Sequence, residues 1–136
     1  MTTPVQIFQD PKAGYHRVVQ GGKWSVQLLN YNDNMCIDLV HKVRRHMQSD
    51  EVCILVKGRA VICYIEEGKW LQVVEFRPGL LYTITRGLWH ALIATPGSYF
   101  AVITDRNTCL TDAEARPLTL EEHQRLQAQA PRWLHD

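Results

Sequence analysis

Three residues have the types and spacing to hold a divalent cation: His46, Glu51 and His90. Imidazole nitrogen and carboxylate oxygen together suit Fe, Mn, Ni, Zn or Co. Three protein ligands leave positions open for water and substrate. His16, His41, His123 and His135 stand in no comparable pattern. Arg44, two residues before His46, cannot ligate a cation, because its guanidinium stays protonated and has no lone pair to offer. It suits an anionic group instead, since it grips two oxygens at once. Gln48 offers a weak oxygen donor nearby. Tyr64, Tyr82, Trp24 and Trp89 suit a pocket wall with polar tips. They suit a core or a dimer interface better still. A phenol such as that of Tyr82 or Tyr64 could serve as acid or base, given a pocket that brings it within hydrogen-bond reach.

The elements that must position these groups are short and β-rich. Val5–Phe8, Trp24–Leu29 and Cys36–Val43 read as extended runs, the second alternating in polarity and the third rich in Ile, Leu and Val. Between the second and third lies Asn30–Asn34, whose Asn and Asp residues favour a turn. After a polar break at His46–Asp50 come Glu51–Val56, Ala60–Ile65 and Trp70–Phe76, joined by Lys57-Gly58-Arg59 and Glu67-Gly68-Lys69. Gly-containing gaps of this size between β-type runs signal hairpins. Leu80–Thr85, Trp89–Ala94 and Ser98–Thr104 follow, each closed by its own turn residues, the last by Asp105–Thr108. Many short strands with a turn after each predict an all-β antiparallel sandwich or barrel. In such a barrel, His46 and His90 at strand starts can point into one mouth. On a strand through His41–His46, Lys42 and Arg45 read as solvated. Cys53 shares parity with Glu51 and reads first as packing. Near the end, Thr119-Leu120-Glu121-Glu122 is a capping-box pattern, and it predicts one helix over about residues 120–128, stopped by Pro131. Trp133 and Leu134 suit packing on the barrel or a partner subunit.

Composition narrows the function. The chain has 136 residues, 46% of them hydrophobic, and no repeat or linker, so a single domain over 1–136 is expected. Lys plus Arg is 15 against 14 for Asp plus Glu, which gives no field to hold a phosphate backbone and disfavours nucleic acid. No apolar run approaches the about 20 residues that span a bilayer, and no signal-peptide pattern opens the chain. The four cysteines, Cys36, Cys53, Cys63 and Cys109, show no C-x-x-C spacing, so reduced thiols in a cytoplasmic protein are expected.

The segment from His46 to Gly58 resembles the second half of the first cupin motif, G-x5-H-x-H-x3,4-E-x6-G, with His46, Glu51 and Gly58 matching. Gly79, Gly87 and His90 match the second motif, G-x5-P-x-G-x2-H-x3-N. The resemblance covers about residues 35–105, leaving the flanks for extra strands and the terminal helix. Arg44 stands where the motif has its first His, Asp38 where it opens on Gly, Thr85 where it has Pro and Ala94 where it ends on Asn. The resemblance implies a cupin-like β-barrel, a double-stranded β-helix or jelly roll. It also implies a homodimer and a metal held by the surviving His46, Glu51 and His90 in place of the usual three His and one Glu.

Two functional readings follow. In the first, the metal assists an isomerase, epimerase or lyase reaction on a small polar or anionic substrate, such as a sugar acid or sugar phosphate; Arg44 binds the anionic group and Tyr82 serves as acid or base. Dioxygenase chemistry ranks below it. In the second, the chain is a non-catalytic metabolite-binding or sensing cupin without metal, in which Arg44 pairs with Glu51 or Asp50.

Overall fold

The computed structural model describes residues 5–107 and 113–136. Among these residues, ten strands form two five-stranded sheets, and all the pairings are antiparallel. The strands are β1 (Gly14–Gln20), β2 (Trp24–Asn30), β3 (Lys42–His46), β4 (Glu51–Lys57), β5 (Ala60–Ile65), β6 (Gln72–Glu75), β7 (Leu81–Ile84), β8 (Trp89–Ala94), β9 (Tyr99–Asp105) and β10 (Ala113–Pro117). One sheet runs β1-β2-β9-β4-β7 and the other β10-β3-β8-β5-β6. The helix α1 spans Leu120–Gln129, and a 3-10 turn over Arg132–His135 follows it. No helix among the described residues is long and apolar enough to cross a membrane.

Alternation explains the layers. Along β4 the inward residues Glu51, Cys53 and Leu55 are buried, and along β9 so are Phe100, Val102 and Thr104. These side chains fill the space between the sheets with Met35, Ala60, Ile62, Phe76 and Ile84. β5 is buried on both faces over Ala60–Cys63, because Val61 and Cys63 turn away from that space towards a second core. Leu126 of α1 and Leu134 cover this second core, joined by Ile37, Val40 and Val43. The capping box of α1 is formed: the Thr119 hydroxyl accepts the Glu122 N–H, and the Glu122 carboxylate accepts the Thr119 N–H.

The expected β-rich order holds from β4 to β9, and α1 runs one residue beyond its expected end. Three expectations need correction. Val5–Phe8 forms no strand; Ile7 is 92% exposed, with no sheet edge beside it to accept it. The first strand is instead β1, whose ladder shifts register between Arg17 and Val19, which breaks the alternation a sequence reading relies on. Cys36–Val43 is mostly a loop, whose apolar Ile37 and Val40 serve the core under α1 and not a sheet. Ala113–Pro117, with little apolar content, pairs with β3 as an edge strand. His46 is the last residue of β3, ahead of β4, and so does not stand at a strand start. Thr108 and Cys109 lie outside the described residues.

Candidate metal centre

Three strands bring the predicted ligands together. β3 delivers His46 at its end, β4 begins with Glu51, and β8 carries His90 opposite Arg44 of β3. One turn locks these ends together. Gly87 has φ of 82°, a left-handed conformation that costs glycine nothing, and its N–H reaches the His46 carbonyl at 2.7 Å. The preceding Arg86 N–H is accepted by the Asp50 carboxylate at 2.8 Å. The start of β8 is thereby tied to the end of β3 and to the residue before Glu51. Gly58, with φ of 94°, turns β4 into β5. A Cβ there would lie 2.6 Å from Ser98 Cα, so the backbones meet too closely for any side chain.

His46, Glu51 and His90 are all buried, and one ligand atom from each lies within 4.8 Å of the others. Glu51 Oε2 is 3.2 Å from His46 Nε2 and 3.7 Å from His90 Nε2, yet this buried oxygen has no hydrogen-bond partner among the described residues. Burial on its own would raise the Glu51 carboxyl; the two histidines outweigh it and hold the group down at about 2, so it is a carboxylate throughout the neutral range. The His90 ring is oriented from behind: its Nδ1 pairs with the Leu88 carbonyl at 2.9 Å. A carbonyl only accepts, so Nδ1 carries a proton and Nε2 is the nitrogen turned towards Glu51. This is the outer hydrogen bond that metal-binding histidines ordinarily make. Two imidazoles and a carboxylate oxygen that has no hydrogen bond converge in a buried site. The donor set fits a divalent cation.

The site opens into a cavity of about 360 Å³. Arg44 lines it beside the three ligands and forms no ion pair with Glu51 or Asp50. Lys42 and His41 line it too. Lys42 corrects the expectation of a solvated side chain, since residues 42, 44 and 46 share one face of β3, and strand parity carries that signal. Arg45, on the opposite face, stacks on Trp89 and pairs with Glu114 at 2.9 Å.

Other candidates lie elsewhere. Tyr82 is not among the cavity-lining residues; it packs edge-on against Phe76, and its hydroxyl accepts the Arg77 N–H at 2.8 Å. Gln48 is exposed and also outside the lining. Cys53 is fully buried beneath Glu51, and burial, reinforced by the neighbouring carboxylate, pushes its thiol well up. The roles of Asp50 and Leu88 had no type-based signal: one accepts an amide proton, the other acts through its backbone.

No protein-family model matches this sequence, and no curated protein matches it. Solved structures do. A cupin-2 domain protein from Shewanella frigidimarina NCIMB 400 superposes with a TM-score of 0.54 at 19% identity, over 73% of this chain and 85% of that one. The Fe(II) form of HppE superposes with a TM-score of 0.52 at 12% identity, over 67% of this chain and 48% of that one. With its two antiparallel sheets and the motif glycines at its turns, this chain has the cupin fold.

Proposed function

We propose that this chain is a metal-assisted enzyme of the isomerase, epimerase or lyase type, acting on a small anionic molecule such as a sugar acid or sugar phosphate. The observation that carries the reading is the buried Glu51 Oε2, which has no hydrogen bond and faces two imidazoles in the cavity that Arg44 also lines. His46, Glu51 and His90 would hold the cation. A divalent ion there would supply Lewis-acid polarisation of a substrate carbonyl. The Fe(II) in the HppE structure adds support for iron among the five candidates.

The other residues bind and orient. Arg44 offers a planar fork to a carboxylate or phosphate, and Lys42 adds a second positive charge on the same wall. Leu29, Met35, Val40 and Leu92 give the cavity apolar sides that exclude water around the reacting carbons. Tyr82 stands outside the cavity lining, its hydroxyl accepting the Arg77 N–H, so this reading gives it no role in proton transfer. That same placement favours the second reading, a metabolite-binding cupin without catalysis, since it sets aside one of the two phenols that the sequence offered as acid or base.

One experiment separates them. Protein loaded with Fe(II) or Mn(II) is incubated with a panel of sugar acids and sugar phosphates and followed by NMR, beside Arg44→Gln. Turnover that falls in the variant through a raised KM is the expected result. Binding without turnover selects the second reading. Neither binding nor turnover across the panel overturns both.

A further inference from the structure

We infer that Cys53 is a positioning residue for the metal-binding carboxylate: its thiol holds one oxygen of Glu51 so that the other faces the two histidines. The inference rests on the metal reading above and adds a residue to it. Glu51 and Cys53 are alternate residues on β4, so both side chains point into the space between the sheets. The Cys53 Sγ–H donates to Glu51 Oε1 at 3.5 Å. Cys53 has 0% exposure and Glu51 5%, so the contact is made in a buried setting. The two oxygens of one carboxylate therefore have different surroundings. Oε1 has a donor, while Oε2 has none and lies against both Nε2 atoms.

The thiol is not a fourth ligand. The donor atoms within 4.8 Å of one another come from His46, Glu51 and His90, without Cys53. Its part is that of an outer hydrogen-bond partner, which fixes the rotation of a ligand. A carboxylate free to rotate about its last bond would present either oxygen and lose the match with the imidazoles. A thiol suits the position because it packs as a small apolar group and still donates a weak hydrogen bond.

The test uses the whole chain and Co(II) as the probe. Cys53→Val keeps the bulk and removes the donor; Cys53→Ser keeps a donor. Affinity is measured by competition with a chelator, and the visible Co(II) spectrum reports ligand geometry. The valine variant is expected to bind Co(II) about tenfold or more weaker, with shifted bands. The serine variant is expected to restore both towards wild type, which a packing role alone would not do. Wild-type affinity and spectrum in Cys53→Val overturn the inference while leaving the metal reading intact. Equal loss in Cys53→Ser and Cys53→Val also overturns it, because packing and not the donor then sets the carboxylate. Wild type that binds neither Co(II) nor any of Mn, Fe, Ni and Zn overturns the metal reading and this inference with it. If Cys53→Val lacks the wild-type circular dichroism, Cys53→Ala is read in its place by the same criteria.

Discussion

His90 turns its Nε2, and not its Nδ1, towards Glu51. Its Nδ1–H is committed to the Leu88 carbonyl at 2.9 Å, and Nε2 lies 3.7 Å from Glu51 Oε2. Two electron-rich atoms this close in a buried site repel unless a cation stands with them. A proton on the imidazole or a metal ion supplies it. The relationship accounts for an orphaned oxygen in an otherwise well-bonded region.

Replacing that oxygen with an amide is expected to have opposite effects on the two forms. In Glu51→Gln the side-chain NH2 can donate to His90 Nε2. With a chelator present, the variant should therefore melt as high as wild type or higher, by about 1 kcal/mol of stability. Its response to added metal should vanish, because an amide is a poor ligand. Paired chelator and metal melts check both halves.

Arg44→Gln separates the anion site from the metal site. Arg44 lines the cavity and is not in the ligand group. The variant should keep the metal-dependent rise in melting temperature. Its affinity for small carboxylates or phosphates should fall by about tenfold or more, the loss of a charge-assisted hydrogen bond. Calorimetric titration of metal-loaded protein with inorganic phosphate measures it.

Much of this site is legible in the sequence, and the reasons are local. His46, Glu51, Gly58, Gly87 and His90 stand at fixed distances along the chain because one turn each sets β4 onto β5 and β8 onto β3. The helix is legible because Thr119 and Glu122 complete a short-range box. What escapes is decided by distant partners. β1 and β10 are edge strands whose existence depends on β2 and β3, and their own alternation is weak or absent. Ile37 and Val40 look like strand residues until α1 claims them for its core. Tyr82 looks like a pocket phenol, and only the fold shows that Phe76 and Arg77 hold it elsewhere.

Gly58→Ala should be costly for so small a change. The residue has φ of 94°, and the new methyl would press on the Ser98 backbone. Ser98 cannot yield cheaply, since its hydroxyl accepts the Arg59 N–H at 3.1 Å and it packs with 1% exposure. A loss of about 1–3 kcal/mol is expected in urea unfolding, because both strain and close contact oppose the side chain.

The helix cap carries a pH signature. The Arg116 guanidinium, held to Glu122 by contacts of 2.7 and 2.8 Å, keeps the Glu122 carboxyl down at about 2 against an ordinary 4.5. A depressed carboxylate stabilises the fold fully above its unfolded value and ceases to do so as pH falls through its folded value. The stability difference between wild type and Glu122→Gln should therefore be constant above about pH 5, shrink between pH 4.5 and 2, and disappear below. Urea midpoints across that range check it.

The central claim, that His46, Glu51 and His90 form a divalent-metal site, is tested most directly by thermal melts of metal-stripped protein. Mn, Fe, Co, Ni or Zn is added to wild type, His46→Ala and His90→Ala. A ligand that binds only the folded state adds about 2.7 kcal/mol at a hundredfold excess over its dissociation constant. The expected result is a rise in wild type with at least one of these metals, absent from both variants while each keeps its folded circular dichroism. A wild type whose melt none of the five metals moves, or an equal rise in all three proteins, would contradict the account.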